Sequence, residues 1–272
     1  MSASATSTCR VHRVAFGKPS TARLAELVNL PASLDRFIDE LASSRGVIAV
    51  TIGGSRATGT ADASSDWDLG VFYRGDIDLS AVAARGEVHA PGSWGRLMNG
   101  GAWLTIDGVA VDVVLRDVDT VAHWSAEAAV GRYEVDQLLG HLAGFPTYTL
   151  TAEVALSNVV RGTLSIDTTF TDALRETTTF RWGFQRDFSF EYARSHAERG
   201  NTVGAIGNVA RAVTEEAHRR MCADRRWVLN EKRLLDAAGL GSVSELLATH
   251  EFGRSPHDMR EAIGRIEELV TS

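Results

Sequence analysis

Cysteine is nearly absent from this chain of 272 residues, which contains 2, Cys9 and Cys222. They lie too far apart in sequence to argue a disulfide framework or a cysteine metal site, and a reducing cytoplasmic setting is the expectation. Long apolar runs are also missing. None approaches the roughly 20 residues that cross a bilayer, so membrane insertion is not expected. There is no internal repeat and no long low-complexity tract, which confines expected disorder to the ends. Residues 1–25 hold Arg10, Arg13, Lys18 and Arg23 without an acid, but they lack the apolar core of a secretory leader and read as a disordered tail. An excess of basic charge is lacking too: the formal net charge is -7. That argues against a dedicated nucleic-acid partner, whereas an acidic surface would suit a cationic substrate or serve solubility alone.

What remains is an ordinary globular composition, 44% hydrophobic and 23% charged, with length enough for two modest domains. After Pro31, Leu34, Phe37, Ile38 and Leu41 recur at the spacing of one apolar helical stripe, and Gly46 stops it. The β-branched run Val47–Ile52 predicts a buried strand that ends at Gly53-Gly54-Ser55. Residues 66–73 predict a second strand and 109–115 a third, with 103–106 pairing to it through the Asp107-Gly108 turn. The intervening Pro91–Gly95 and Asn99-Gly100-Gly101 form a glycine-rich loop of the kind that lets backbone approach a ligand, or a plain surface turn.

Beyond about residue 118 helical periods replace strand signals. The fold class expected is therefore α+β: an N-terminal mixed sheet flanked by helices over 26–120, then a C-terminal helical bundle over 121–272. Within 202–222, Val203, Ile206, Ala210, Val213 and Ala217 predict the buried stripe, leaving Arg211, Glu215, Glu216 and Arg219 to other faces. Further helices are expected over 171–199, after Asn230 and over 255–270.

Chemistry concentrates in the first half. Side chains in a strand repeat every two residues, so Asp66 and Asp68 should share a face. Two converging carboxylates repel unless a cation lies between them, and hard oxygen donors select Mg²⁺ or Mn²⁺. Asp112 is the only charge within the apolar run 109–115 and needs a partner. If its strand lies beside the second, the three carboxylates can bridge two cations about 3.5–4 Å apart. Gly53-Gly54-Ser55-Arg56 leaves a strand to open a short helix, so backbone N–H groups and the Ser55 hydroxyl can cradle phosphates. It is neither a Walker loop nor a dinucleotide fingerprint.

The composite of Gly-Gly-Ser-Arg, nine residues, then Asp-Trp-Asp-Leu resembles the signature of the DNA polymerase β-like nucleotidyltransferase superfamily. Gly54 and Ser55, Asp66 and Asp68, and Asp112 stand at that family's Gly-Ser turn, Asp-x-Asp strand and later carboxylate, and the match spans roughly residues 46–116. By arrangement and length the chain is also similar to small bacterial nucleotidyltransferases that modify aminoglycosides or lincosamides. The resemblance implies that Ser55 and the turn Gly53-Gly54 hold the triphosphate; beside it, Arg56 is a candidate contact to the triphosphate and Lys232 a candidate point charge reaching a phosphate from the helical part. It implies that Asp66 and Asp68 coordinate Mg²⁺; the first candidate for the base or for the second-metal ligand is Asp112, and Glu153, on the first helix of the C-terminal part, is a remoter one that otherwise reads as a solvated helix residue. The reaction expected is transfer of AMP from ATP, or of another nucleoside monophosphate, to a hydroxyl of a small acceptor. The alternative is a macromolecular acceptor, a protein to be AMPylated or a tRNA, as in toxin systems; a non-catalytic nucleotide sensor is the third reading. Arg211 and His218, six residues apart, resemble the Arg-x4–6-His motif of HEPN ribonuclease domains. His141 and His196 have no metal-ligand spacing.

Overall fold

The computed structural model describes residues 30–59, 61–62, 65–248 and 255–271; the expected tail over 1–25 lies outside them. Helix α1 (Ala32–Ser43) presents Leu34, Phe37, Ile38 and Leu41 along one side, all buried. It lies on a five-stranded mixed sheet of β1 (Val47–Ile52), β2 (Trp67–Tyr73), β3 (Gly100–Ile106), β4 (Val109–Asp117) and β7 (Asn158–Gly162), in the order β3-β4-β2-β1-β7. The short strands β5 (Val135–Asp136) and β6 (Phe145–Pro146) pair separately; helix α2 (Gly54–Thr58) follows β1, and α3 (Ser80–Ala83) and α4 (Gly95–Met98) lie between β2 and β3. All neighbours are antiparallel except β2 and β4, which are parallel with Asp68 opposite Asp112. The hairpin β3–β4 turns at Asp107 and Gly108, both at positive φ, as the sequence predicts.

Strand alternation divides β2 between two environments. Trp67, Leu69 and Val71 enter the core under α1 with Val111, Val113 and Leu115 of β4. Phe72 faces the opposite core, against helix α5 (Val118–Ala129) and the short helix α6 (Thr149–Leu156). Each large apolar side chain so buried contributes roughly 1.5–3 kcal/mol. The alternation leaves Asp68, Gly70 and Phe72 on the second face of the sheet, where the site lies.

The long helices α7 (Asp172–Glu198) and α8 (Thr202–Ala223) form an antiparallel pair with α11 (Pro256–Thr271) packed across them. The Thr171 Oγ1 accepts the Leu174 N–H at 3.1 Å, and the Asn201 Oδ1 accepts the Gly204 N–H at 3.0 Å, so each helix starts on a side-chain cap. Short helices α9 (Leu234–Ala237) and α10 (Ser242–Ala248) complete this half.

Three expectations change. The sheet does not end at residue 120: β7 pairs with β1, so the chain returns to the first half before the long helices begin. In α8 the buried stripe is Ala205, Val209, Ala212, Val213 and Ala217, while Val203 and Ile206 are exposed, because close approach to α7 favours small residues. Glu215 and Glu216, expected on open faces, are fully buried and held by arginines. The glycine-rich loop, which the sequence left between a ligand contact and a surface turn, packs at the sheet edge, with Trp94 against His89 and Trp103, and the Asn99 amide donating to the Tyr73 hydroxyl.

Candidate active site

Asp68 leaves β2 on the open face, Asp112 leaves β4 directly beside it, and Asp66 sits one residue ahead of β2. One oxygen from each carboxylate lies within 4.8 Å of the others. The strand adjacency that the reading of Asp112 required is thus present. Burial, then the charges of Asp66 and Asp112, push the Asp68 carboxyl up to about 6, against the pull of Lys232 and Arg56. Burial and Asp66 raise Asp112 as well, with Lys232 opposing. Three mutually repelling hard oxygen donors without a compensating pair fit a divalent cation, and no other cluster of this kind occurs among the described residues.

The turn after β1 is built against this cluster. The Gly53 N–H donates to the Asp68 carbonyl at 2.8 Å. Gly54 has φ of 60°, and a Cβ there would stand 1.7 Å from the Asp68 Oδ2, so no other residue fits without displacing the carboxylate. The five-residue helix α2 (Gly54–Thr58) follows and presents Ser55 to the same cleft. Arg56 is engaged differently from the expectation of a triphosphate contact. Its Nε donates to the Asp66 carbonyl at 3.0 Å, its Nη2 to the Ser65 carbonyl at 2.5 Å, and its guanidinium lies 4.1 Å from the centre of the Trp67 ring. It clamps the segment that carries Asp66.

Lys232 does reach the cluster from the far side. It lines a cleft of about 520 Å³ together with Gly54, Ser55 and the three aspartates, and Met221 of α8 and Trp227 of the segment after it form the facing wall. The Asn230 Oδ1 accepts the Lys232 N–H at 2.9 Å, which fixes the approach of this segment. Beside the cleft a second cavity of about 250 Å³ runs over the sheet, sharing Gly54, Asp68, Leu156, Leu229 and Asn230 with it.

Glu153 lies against this second cavity and is an ion-pair partner, not a solvated helix residue. Arg116, almost wholly buried, donates to its two carboxylate oxygens at 2.5 and 2.7 Å and to the Met98 carbonyl at 2.8 Å. Arg116 was passed over in the sequence although it is a cation at the end of an apolar strand, the signal that singled out Asp112. Glu231 was also missed. Its carboxylate accepts the Leu142 and Ala143 N–H groups at 2.5 and 2.8 Å and lies 3.9 Å from His218, tying the loop at 139–144 to the segment that carries Lys232. Burial opposes ionisation of Glu231, but His218 and the two N–H groups outweigh it and hold its carboxyl below the usual range.

Arg211 and His218 go to different places. Arg211 pairs with Glu215 on a half-exposed face, while His218 is buried and stacked on Trp182 at 4.6 Å, so no paired ribonuclease site forms. His196 lies in the last turn of α7, with its Nδ1 3.1 Å from the Asn201 Nδ2.

The mixed sheet thus brings the three carboxylates together beside the glycine turn. Residues 34–121 match the family model described as the nucleotidyltransferase domain. Among solved structures it is similar to a nucleotidyltransferase-like protein from Exiguobacterium sibiricum 255-15, with 13% identity over 87% of this chain and 74% of that one, at a TM-score of 0.42. It is also similar to the CdnE cyclic dinucleotide synthase of Elizabethkingia meningoseptica with GTP and Apcpp, with 10% identity over 94% of this chain and 100% of that one, at a TM-score of 0.26. Comparison with curated proteins gives no match. No helix among the described residues is long and apolar enough to cross a membrane.

Proposed function

We propose that the protein transfers a nucleoside monophosphate, AMP from ATP, to a hydroxyl of a small molecule, with release of pyrophosphate. The observation that carries this reading is the cluster of Asp66, Asp68 and Asp112, one cleft wide from Lys232 and walled by the Gly53-Gly54-Ser55 turn. Asp66 and Asp68 would hold Mg²⁺, or Mn²⁺ in its place; the ion would supply positive charge against the phosphate oxygens. Backbone N–H groups of the turn and the Ser55 hydroxyl bind the triphosphate, and the Lys232 ammonium adds a point charge on the same group. The acceptor enters the cavity beside Asp68, so its oxygen lies next to the α-phosphorus. That oxygen bonds to phosphorus as the bond to the bridging oxygen of pyrophosphate breaks. The hydroxyl proton passes to the Asp112 carboxylate, whose raised affinity for a proton suits the role. Positioning and fixed charge do the rest.

A small acceptor is favoured over RNA by the lining of the cleft, where Asp62, Asp66, Asp68 and Asp112 face two cations, Lys232 and Arg233, instead of a basic groove. The domain division that suits this reading places the catalytic unit at about 30–165 and the helical unit beyond it, since β7 completes the sheet. The test is acceptor-dependent pyrophosphate release from ATP and Mg²⁺. Loss of it in Asp68→Asn is the expected result, and full activity in that variant would sink the assignment.

A further inference from the structure

Helix α7 carries four of its largest apolar side chains on the outside. Phe180, Phe184, Phe188 and Tyr192 are 74%, 62%, 55% and 51% exposed, although the same helix buries Leu174, Trp182 and Phe190. Exposed apolar residues are ordinary when scattered, but these four follow one another at intervals of four and form a single ridge along the helix. The rings meet in sequence: Phe184 and Phe188 stack with centroids 6.1 Å apart, and Phe188 and Tyr192 lie 5.0 Å apart. Beside the ridge runs a groove of about 300 Å³ between α7 and α8, walled by Phe184, Phe188 and Tyr192 on one side and by Asn208 and Arg211 on the other. None of the four aromatics lines the carboxylate cleft or the cavity beside Asp68, so the chemistry of that site does not account for them.

A ridge of residues four apart is its own complement. Where two helices cross at about 50°, such a ridge on each packs into the groove beside the ridge of the other. Here ridge and groove lie on one surface, so a single twofold operation fills both. Antiparallel pairing centred on residue 186 sets Phe184 against the partner subunit's Phe188 and Phe180 against the partner subunit's Tyr192, and turns the exposed Glu191 toward the partner subunit's Arg181. The acids in the middle of this face are already neutralised within the chain, Asp187 by Arg186 and Glu191 by Arg194, each at 2.7 Å. Two chains of net charge -7 can therefore meet there with little like-charge repulsion. The exposed parts of the four rings come to on the order of 500 Å² on each copy. That is about 1,000 Å² across a pair before Gln185, Asn208 and Arg211 are added, the size at which specific interfaces begin. We propose that two copies of the protein associate through α7, each laying its aromatic ridge in the groove between α7 and α8 of the other. This holds whatever the acceptor of the carboxylate site is.

The test is equilibrium sedimentation of the full chain over a range of concentrations. A dimer is expected at about 50 μM, dissociating on dilution with a constant in the micromolar range, as suits an interface of this size. Phe184→Glu and Phe188→Glu should each raise that constant at least about thirtyfold, the scale of losing an aromatic anchor, while keeping the parent's helical circular dichroism because both side chains are exposed. Phe188→Leu leaves the ridge apolar and should retain the dimer. Leu139→Glu replaces another large apolar side chain, 97% exposed and off the ridge, and should leave the dimer as it is. A parent that sediments as a monomer throughout would overturn the proposal and leave the ridge to a partner of another kind. A dimer that survives both glutamate variants on α7, or one that Leu139→Glu dissociates equally, would overturn it as well.

Discussion

Two groups of buried carboxylates show how the halves of the molecule use the same functional group. In the helical half the Glu216 carboxylate is wholly buried, and Arg186, Arg219 and Arg220 all donate to it, at 2.6 to 3.0 Å. Burial alone would raise its pKa, but the three arginines outweigh burial and hold it below the usual range. In the sheet half Asp68 is half-buried, its strongest neighbouring charges are two more aspartates, and its pKa moves up to about 6. A carboxylate placed for structure brings its cations with it, and one placed for chemistry leaves the position of the cation open.

Exchanging charge for neutrality in each half separates the two uses most sharply. Asp68→Asn should lower pyrophosphate release by about 10³-fold, as removal of a charge at the reacting centre does, while the metal-free melting temperature at pH 8 rises because a repulsion is gone. Glu216→Gln should do the reverse. Leaving three arginines around a buried neutral group should cost about 3–5 kcal/mol in urea unfolding, with activity per folded molecule retained.

The next largest effect is in pH. The raised Asp68 favours the protonated folded state, so its contribution to stability is full below the ordinary carboxylate pKa and lost as pH rises through about 6. The depressed Glu216 contributes stability above its ordinary pKa of 4.5 and loses it as pH falls. Thermal scans should therefore show Mg²⁺ raising the melting temperature strongly at pH 8 and hardly at pH 5, where the cation competes with a proton. A stabilisation by Mg²⁺ that is equal at both values would contradict the placement of the ion at Asp68.

Smaller effects test the edges of the site. Lys232→Met should weaken ATP binding about tenfold, the scale of one charge-assisted contact, without changing the fold. Arg56→Lys should lower stability by about 1 kcal/mol and reduce turnover modestly, since lysine cannot span the Ser65 and Asp66 carbonyls and stack on Trp67 together.

Much of the sheet half was legible because its signals are local. A glycine with positive φ, alternation in β2 and a lone acid in β4 each announce a constraint that a few residues impose. The helical half was less legible. The period of α8 is genuine, but which side of it is buried depends on the partner helix, and Val203 and Ile206 proved exposed while Glu215 and Glu216 went inside. Arg56 shows the same limit at a single residue: its type and position suit a phosphate, and its neighbours Ser65, Asp66 and Trp67 engage it first.

By itself the sequence determined the class of chemistry, because carboxylates in an apolar strand and a Gly-Ser turn carry their constraint in residue type and spacing. Tertiary structure alone decided what surrounds that chemistry. The parallel pairing of β2 with β4 brings Asp112 beside Asp68, and the return of β7 extends the sheet. The chain between residues 139 and 232 delivers Arg116's partner Glu153, the unpartnered His141 and the ammonium of Lys232 to one face of the sheet. Those meetings join residues far apart in the chain, and no periodicity encodes which distant side chain will satisfy a buried group.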